Sequence, residues 1–151
     1  MKTFIVTGAM GFLGKAFVNW LLGEEEKVIV IVRDKYAAMD TWGSRVEIIE
    51  RDLADVGSIT KRHIGNPDAE GIFVHFAWEG TSGDKRALEM TQLNNIRMSC
   101  ELIRRAKELG CRRFINAGSI MEYEAMKTVS ADGERPSRNT MYSIAKLTAD
   151  F

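Results

Sequence analysis

The sequence has little of several features that would mark a special class of protein. Its 151 residues include two prolines and two cysteines, and its 21 basic residues are balanced by 21 acidic ones. A formal net charge of zero gives no support to a general nucleic-acid or membrane-surface binder. No run approaches the roughly 18 apolar residues that a membrane span needs, and the apolar stretch at the N-terminus is too short for a signal peptide.

The two cysteines, Cys100 and Cys111, have neither metal-ligand nor redox-motif spacing. We therefore expect reduced thiols in a cytoplasmic protein that holds no metal. The hydrophobic content of 45% is enough to bury the core of one domain of ordinary size.

Segments with strand and helix character alternate along the chain. Short apolar runs predict strands over Thr3 to Val6, Val28 to Val32, Val46 to Ile49, Ile72 to Phe76 and Arg113 to Ala117. Helical spacing predicts helices over Phe12 to Leu22, from about Lys85 to Leu109, and from Pro136 to Phe151. The unbroken aliphatic run from Val28 suits a strand that is buried on both faces of a parallel sheet. The order predicts an α/β fold with a doubly wound parallel sheet.

The apolar residues of the two longer helices predict which sides face the core. On the first helix, the residues near helical spacing are Phe12, Leu13, Phe17, Trp20 and Leu21. On the long helix, the residues expected on one side are Ile96, Cys100, Ile103, Leu102, Ala106 and Leu109. Gly110 stands where a glycine commonly ends a helix.

A glycine-rich motif lies between the first predicted strand and the first predicted helix. Gly8, Gly11 and Gly14 form a G-x-x-G-x-x-G pattern. In this pattern Gly8 permits the tight turn, Gly11 lets a pyrophosphate approach the backbone, and Gly14 lets the helix pack closely on the strand. The free amides and the dipole at the helix N-terminus favour an anion, so the motif predicts a dinucleotide site. The alternative is a glycine-rich turn without a ligand.

The end of the second predicted strand bears on the choice of dinucleotide. NAD-binding proteins commonly hold the ribose 2′-hydroxyl with an acidic residue about 20 positions after the glycines. Here Val32 closes the strand and Arg33 follows, and a guanidinium can pair with a 2′-phosphate. NADP(H) is therefore favoured, whereas NAD(H) remains possible because a slip of one residue would bring Asp34 to the ribose. A solvated Arg33–Asp34 pair in a loop is the third interpretation.

A second motif comes from residues that can carry out proton transfer. Tyr142 and Lys146 are four residues apart and therefore share one face of the last predicted helix. A nearby ammonium stabilises the phenolate form of a tyrosine. Ser119 follows the fifth predicted strand, and its hydroxyl can hold a substrate carbonyl or alcohol. An ordinary pair on a helix face is the alternative for Tyr142 and Lys146 taken alone.

Together these motifs resemble the N-terminal part of an extended short-chain dehydrogenase/reductase, in the NAD-dependent epimerase/dehydratase family of nucleotide-sugar enzymes. The matching stretches are Thr7 to Gly14, Val28 to Arg33, Arg51 to Leu53, Val74 to Ala77, Asn94 to Asn95, Phe114 to Tyr123 and Tyr142 to Lys146. They span nearly the whole chain in the right order. The resemblance implies a Rossmann-like dinucleotide-binding domain over residues 1–151.

The resemblance also implies roles for single residues. The residues implied in cofactor binding are Gly8, Gly11, Phe12, Leu13, Gly14, Arg33, Asp52, Leu53, Phe76, Ala77, Trp78, Asn94 and Lys146. Among them, Asp52 and Leu53 would contact adenine, and Phe76, Ala77 and Trp78 would line the adenosine and ribose side. Ser119, Tyr142 and Lys146 would be catalytic. Alternatively Asp52 only caps a turn, and we interpret His75 as a packed strand residue rather than a ligand.

The chain departs from the family pattern at two positions and in its length. Gly118-Ser119 replaces the usual Ser-Ser pair of the family, and Glu124 replaces the usual glycine after Tyr123. The combination of Ala117 to Tyr123 with His75 to Trp78 and Gln92 to Asn95 is similar to reductases and epimerases that act at C4 of deoxy nucleotide sugars, where NADPH reduces a keto group. Family members continue into a sixth strand and a C-terminal substrate domain, which are absent from these 151 residues.

Three functions are consistent with these features. The first is NADPH-dependent reduction of a 4-keto deoxy nucleotide sugar, with this chain as the cofactor-binding half of the enzyme. The second is an NAD-dependent epimerase or dehydratase of nucleotide sugars. The third is a non-catalytic dinucleotide-binding fragment. For the full-length protein we expect a homodimer with a nucleotide-sugar substrate and with neither nucleic-acid nor membrane partners.

Overall fold

In a computed structural model of the protein, the described residues are 1–65, 71–128 and 140–150. The strands are β1 (Thr3–Thr7), β2 (Lys27–Val32), β3 (Glu47–Glu50), β4 (Ile72–His75) and β5 (Arg113–Asn116). The α-helices are α1 (Phe12–Gly23), α2 (Lys35–Trp42), α3 (Lys61–Ile64), α4 (Glu89–Leu109), α5 (Glu122–Thr128) and α6 (Thr140–Asp150). Short 3-10 helices cover Gly43–Arg45, Leu53–Ser58 and Asp84–Ala87. The predicted helix start at Pro136 and its end at Phe151 lie outside the described residues.

The five strands form one parallel sheet in the order β3-β2-β1-β4-β5. In the central strand, Val6 lies opposite Val30 of β2 and Val74 of β4. The chain order reverses between β1 and β4, and such a reversal is where open parallel sheets bind ligands, outside the carboxyl ends of the strands. The sheet and its helices confirm the predicted Rossmann-like α/β fold, with β5 at one edge.

The chain divides into two compact units. Unit 1 comprises Met1–Ala77 and Glu101–Asn116, and it contains the whole sheet. Unit 2 comprises Trp78–Cys100 and Ala117–Phe151, and it contains α5, α6 and the first half of α4. The two predicted motifs therefore fall in different units, because the glycine-rich turn belongs to unit 1 and the Tyr142–Lys146 pair belongs to unit 2.

Unit 1 has an apolar core on both faces of its sheet. On one face, Phe4 and Val6 of β1 and the alternate valines of β2 pack with Val18 and Leu21 of α1 and with Trp42 of α2. The intervening residues of β1 and β2, such as Ile5 and Ile29, are completely buried too. This burial explains why β2 is an uninterrupted aliphatic run, since alternation is needed only where one face of a strand meets water.

Two of the predicted apolar sides differ from those that the structure buries. On α1, Phe12, Leu13 and Trp20 are exposed, and the buried residues are Gly14, Val18 and Leu21. On α4, Leu102, Ala106 and Leu109 are buried as predicted, whereas Cys100 and Ile103 are exposed.

The bounds of several elements also differ from those predicted. The long helix begins at Glu89 rather than near Lys85, because Asp84–Ala87 forms a 3-10 helix instead. The strands β4 and β5 each end one residue earlier than predicted, at His75 and Asn116. Gly110 ends α4 with a φ of 88°, and the amide of Cys111 donates to the carbonyl of Ala106, which confirms the predicted glycine cap.

Candidate functional site

The glycine-rich turn of unit 1 connects β1 to α1 and brings its backbone against the end of β4. Gly8 has a φ of +70°, and a Cβ atom there would lie 2.4 Å from the amide nitrogen of Ala77. A Cβ atom on Gly14 would lie 2.2 Å from the carbonyl oxygen of Gly8. Both contacts are far below van der Waals distance and involve backbone atoms, so the turn requires glycine at both positions. Phe76 and Ala77, which were predicted in the cofactor site, therefore lie beside this turn.

The N-terminus of α1 has the features of an anion site. Gly11 is the cap residue and has no side chain to bond the first-turn amides, and the first turn holds no acidic residue. The first backbone hydrogen bond of α1 is donated by the amide of Lys15 to the carbonyl oxygen of Gly11, at 2.9 Å. The amides of Phe12, Leu13 and Gly14 are therefore available to a phosphate, and the exposed side chains of Phe12 and Leu13 leave the approach open.

Of the two residues directly after β2, Asp34 makes a side-chain hydrogen bond and Arg33 makes none within the described part of the chain. Asp34 caps α2, where its carboxylate accepts a hydrogen bond from the amide of Ala37 at 3.0 Å. Arg33 is exposed and makes no hydrogen bond or ion pair with the part of the chain that the structure describes. The guanidinium is thus the group that remains available to a ligand at the end of β2.

The turn after β3 holds the two residues that were predicted at the adenine. The carboxylate of Asp52 accepts a hydrogen bond from the amide of Ala54 at 2.9 Å and caps the 3-10 helix Leu53–Ser58. This is the capping role that the sequence left open as an alternative. Within the described part of the chain, the second carboxylate oxygen of Asp52 accepts no hydrogen bond. Leu53 is half-buried next to it.

His75 is a packed strand residue, as interpreted from the sequence. It is 1% exposed in β4, and its Nδ1 atom lies 2.6 Å from the hydroxyl oxygen of Thr7 in β1. Its ring also lies 6.2 Å from that of Phe114.

In unit 2, α6 buries both residues of the Tyr142–Lys146 pair. Tyr142 is 7% exposed and Lys146 is 5% exposed. The ammonium of Lys146 donates a hydrogen bond to the carbonyl oxygen of Ala117 at 2.8 Å. The guanidinium carbon of Arg86 lies 4.2 Å from the centre of the Tyr142 ring. A lysine is almost never buried unless it is paired, so the burial of Lys146 is unusual for a residue on a helix face.

Burial lowers the pKa of Lys146 from its ordinary value of 10.5 to about 8. The carboxylates of Asp150 and Glu122 act in the opposite direction and favour the ammonium form. A lysine that titrates this close to neutrality can exchange a proton as well as supply a charge.

Ser119 lies in the turn between β5 and α5. Its amide donates to the carboxylate of Glu122, and its own hydroxyl oxygen accepts a hydrogen bond from the amide of Met121 at 3.2 Å. A Cβ atom on Gly118 would lie 3.3 Å from that carboxylate, so the glycine that replaces the usual serine leaves room for Glu122.

Trp78, which is predicted with Phe76 and Ala77 on the adenosine and ribose side of the cofactor, belongs to unit 2 and contacts the catalytic candidates. The ammonium of Lys146 lies 3.7 Å from the centre of the indole, and the rings of Trp78 and Tyr142 meet edge to face at 6.2 Å. The indole Nε1 atom donates a hydrogen bond to the side chain of Gln92 at 2.9 Å.

Asn94 is predicted to approach the cofactor, and that remains a prediction. The next residue of α4, Asn95, is the asparagine that the fold buries. Asn94 is exposed, whereas Asn95 is 2% exposed and binds both peptide groups of Glu79, at 3.0 and 2.8 Å. Gln92 and Asn95 were missed as structural residues. The signal was present, because positions 92, 95, 99, 102, 106 and 109 follow helical spacing and form the buried side of α4.

Both cysteines are free thiols, and burial raises the pKa of Cys111 to about 11, which disfavours a reactive thiolate. Within residues 1–65, 71–128 and 140–150, no helix combines the length and hydrophobicity that crossing a membrane demands.

Comparisons with known proteins agree with this fold. The model of a family described as "NAD dependent epimerase/dehydratase family" matches residues 4–150. The Bordetella bronchiseptica enzyme WbmG, solved with NAD, is 20% identical, with 99% of this chain and 48% of that chain covered at a TM-score of 0.71. The UDP-Glc/GlcNAc 4-epimerase of Campylobacter jejuni is 18% identical, with coverages of 99% and 47% and a TM-score of 0.76.

The UDP-N-acetylglucosamine 4-epimerase of Bacillus cereus is 20% identical, with coverages of 99% and 47% and a TM-score of 0.67. This chain therefore spans about half the length of these solved relatives. No protein of curated function matches the sequence.

Proposed function

Because the chain belongs to the NAD-dependent epimerase/dehydratase family, we propose that it is the cofactor-binding half of an NAD(P)-dependent enzyme that acts on a nucleotide sugar. The observation that carries this proposal is the buried Tyr142–Lys146 pair of unit 2, in which Lys146 has a pKa near 8. A buried, partly deprotonated lysine is costly to fold around, and such groups are concentrated in sites that move protons.

The glycine-rich turn of unit 1 supports the proposed dinucleotide site. The backbone of Gly8 and Gly14 admits no Cβ atom, and the first-turn amides of α1 have no side-chain cap. These features fit a pyrophosphate, which needs close approach to a backbone and several N–H donors. Leu53, Phe76 and Ala77 are then proposed to contact the adenosine portion of the dinucleotide.

The three polar residues of unit 2 take separate roles in the proposed reaction. The phenol of Tyr142 donates a proton to the substrate oxygen or removes one, and the ammonium of Lys146 stabilises the phenolate. The hydroxyl of Ser119 orients that oxygen, and Lys146 also binds the nicotinamide ribose. The bound dinucleotide supplies or accepts a hydride at the sugar carbon.

We further propose that the dinucleotide is NADP(H). Arg33 is free and exposed directly after β2, and the nearby carboxylate of Asp34 is engaged in capping α2. A free guanidinium attracts the 2′-phosphate of NADP(H), which has no counterpart in NAD(H). The solved relative WbmG binds NAD, so NAD(H) is the competing cofactor.

For the reaction itself, we propose NADPH-dependent reduction of a 4-keto deoxy nucleotide sugar. The free Arg33 favours NADPH and therefore a reductase, whereas the Gly118-Ser119 variant fits reductases and epimerases that act at C4. The alternative is epimerisation at C4 with a retained NAD, and the 4-epimerases among the solved relatives favour it. One relative was solved with UDP as well as NAD, which makes UDP sugars the first substrates to test.

Three broader properties of the whole protein are proposed with this function. The sugar nucleotide is bound by a substrate domain outside these 151 residues, since the chain matches about half of each solved relative. The full-length protein is a homodimer. It acts in the cytoplasm without a nucleic-acid or membrane partner.

Titration calorimetry with the purified chain tests the cofactor. Wild-type protein should bind NADP(H) more tightly than NAD(H), and Arg33→Ala should weaken NADP(H) binding by about tenfold or more, as expected for one lost charged hydrogen-bond pair. Arg62→Ala, an exposed arginine of α3, is the matched control. An equal loss of affinity for both cofactors in Arg33→Ala would reject the NADP(H) assignment.

Turnover of the full-length protein tests the catalytic residues. Tyr142→Phe should reduce kcat by about 100-fold or more, the usual contribution of a general acid, while cofactor affinity stays near the wild-type value. Lys146→Ala should reduce both. If Tyr142→Phe keeps a large share of the wild-type rate, another acid acts, and Glu122 and Tyr123 are the next candidates. Dinucleotide binding without any turnover of sugar nucleotides would favour the non-catalytic alternative.

A further inference from the structure

Two contacts of the Lys146 ammonium are made with groups that different parts of unit 2 hold in place. One is the carbonyl oxygen of Ala117, which accepts its hydrogen bond at 2.8 Å. The other is the face of the Trp78 indole, whose centre lies 3.7 Å from Nζ. This distance is well within the range of a cation–π contact, and burial makes such a contact stronger because water no longer competes for the charge.

The indole of Trp78 is itself fixed by hydrogen bonds. Its Nε1 atom donates to the side-chain oxygen of Gln92, which is completely buried. The amide nitrogen of Gln92 donates in turn to the carbonyl oxygens of Gly80 and Lys85, at 3.2 and 3.3 Å. One buried glutamine thus ties the indole to the loop on which it stands.

The same indole contacts the second catalytic candidate. Its ring meets that of Tyr142 edge to face, with 6.2 Å between the ring centres. Tyr142 and Lys146, which both lie on α6, therefore contact the same aromatic side chain, and that side chain belongs to the loop after β4. This juxtaposition gives Trp78 a position from which it can set the geometry of both residues.

We propose that Trp78 is the positioning residue of the Tyr142–Lys146 pair, and that its indole face holds the Lys146 ammonium in the buried site before any ligand binds. The inference rests on the proposed function insofar as that pair is catalytic. The role that the family resemblance implies for Trp78, on the adenosine and ribose side of the cofactor, stays a separate prediction.

The charges around Lys146 support the need for such a contact. Burial lowers the pKa of this lysine, and the carboxylates of Glu122 on α5 and Asp150 on α6 only partly counter that effect. The guanidinium of Arg86, near the Tyr142 ring, adds a second positive charge to the cluster. An aromatic face favours the ammonium without adding a negative charge that could accept the proton.

Nuclear magnetic resonance of the ligand-free chain tests the proposal directly. In the wild type, the ε-methylene protons of Lys146 should show an upfield ring-current shift and nuclear Overhauser effects to the indole of Trp78. Trp78→Leu should abolish the shift and lower the pKa of Lys146 by roughly one pH unit, because the contact that favours the ammonium is lost.

Two variants separate the aromatic face from other effects of Trp78. Trp78→Phe keeps an aromatic face but loses the Nε1 donor, so the Lys146 signature should be largely retained. Trp20→Leu removes an exposed tryptophan of α1 and should leave the Lys146 signals unchanged. If Trp78→Phe and Trp78→Leu change Lys146 equally, the hydrogen bond to Gln92 matters and the aromatic face does not, which would overturn the proposal.

The wild-type spectrum decides the matter even if Trp78→Leu does not fold. Absence of the ring-current shift and of the Overhauser effects would overturn the proposal without any variant. None of these measurements uses cofactor or substrate. A chain that shows the NMR signature of Lys146 but binds no dinucleotide would therefore contradict the proposed function and leave this inference standing. A chain that binds a dinucleotide but lacks the signature would overturn this inference and leave the proposed function standing.

Discussion

The candidate cofactor site of unit 1 is made of backbone, whereas the candidate catalytic site of unit 2 is made of side chains. At Gly8 and Gly14 the decisive feature is that no Cβ atom fits. Around Trp78, Tyr142 and Lys146 the decisive features are buried rings and a buried charge. A ligand phosphate needs close approach to amides, while a proton transfer needs a titratable group in a defined place.

The interiors of the two units differ in the same way. Among its described residues, unit 1 buries a large apolar core and only three polar side chains, those of Thr3, Thr7 and His75. Among the described residues, the buried apolar side chains of unit 2 are Tyr142 and three alanines, and the buried polar ones are Gln92, Asn95, Ser99, Thr140, Ser143 and Lys146. Unit 1 should therefore be sensitive to added volume, and unit 2 to the loss of a hydrogen bond.

Adding one methyl group to the glycine turn should produce the largest effect. Gly14→Ala places a Cβ atom 2.2 Å from the carbonyl oxygen of Gly8. The backbone must move, so we expect a loss of about 3 kcal/mol or more in the free energy of unfolding, measured by urea denaturation. Dinucleotide affinity should fall with it.

Gly23→Ala is the matched control for that substitution. Gly23 ends the same helix, and a Cβ atom there meets no atom within 4 Å. Alanine is the better helix former, so this variant should be stabilised by about 0.5–1 kcal/mol. A Gly14→Ala variant that is as stable as Gly23→Ala would show that a Cβ atom is tolerated at Gly14, which would contradict the packing argument.

Removing a hydrogen-bonding group from unit 2 should have the next largest effect. Gln92→Leu leaves the indole donor of Trp78 and the carbonyl of Gly80 without their partner. We expect a loss of about 2–4 kcal/mol in the free energy of unfolding, because several buried polar groups then lack hydrogen bonds. Leu93→Ala, at the exposed next residue of α4, should change stability by less than about 0.5 kcal/mol. A Gln92→Leu variant as stable as the wild type would contradict the polar character assigned to unit 2.

The smallest effect is the pH dependence that Lys146 adds to stability. Its pKa is about 8 in the folded chain against an ordinary 10.5, so above pH 8 the unfolded chain binds more protons and the free energy of unfolding rises with pH up to 10.5. The rise cannot exceed about 1.4 kcal/mol per pH unit for one proton. Urea denaturation from pH 7.5 to 9 should show this rise in wild type but not in Lys146→Met.

The buried thiol of Cys111 sets the upper limit of that experiment. Its pKa is raised from 9.0 to about 11, so above pH 9 the unfolded chain binds fewer protons at this group and stability falls. The Lys146 contribution is therefore best read below pH 9. If wild type and Lys146→Met have parallel pH profiles there, the ammonium is not desolvated in the folded chain.

The alternation of strands and helices along the chain and the glycine turn could be predicted because both depend on local sequence patterns. An aliphatic run such as Val28 to Val32 suits a strand covered on both faces, and the alternation with helices implies parallel pairing. Glycines spaced around a strand–helix junction predict a turn that side chains would block. The capping glycine, Gly110, is a local signal of the same kind.

The sides of the helices were harder to predict because hydrophobicity alone does not define the buried side. On α4 the buried stripe begins with Gln92, Asn95 and Ser99, which a search for apolar spacing passes over. On α1 the largest apolar residues, Phe12 and Trp20, are exposed, and the smaller Val18 fills the core instead. Short helices such as α2, which has eight residues, span too few turns for a helical period to be recognised.

The sequence by itself therefore determined the fold class, the glycine turn and the Tyr142–Lys146 pair, since each depends on residues that are close in the chain. Only the tertiary structure decided which contacts those residues make. Trp78 contacts Lys146, and His75 contacts Thr7, each across 68 positions of sequence. Such contacts depend on how the loops return in space, and no spacing rule reaches that far along a chain.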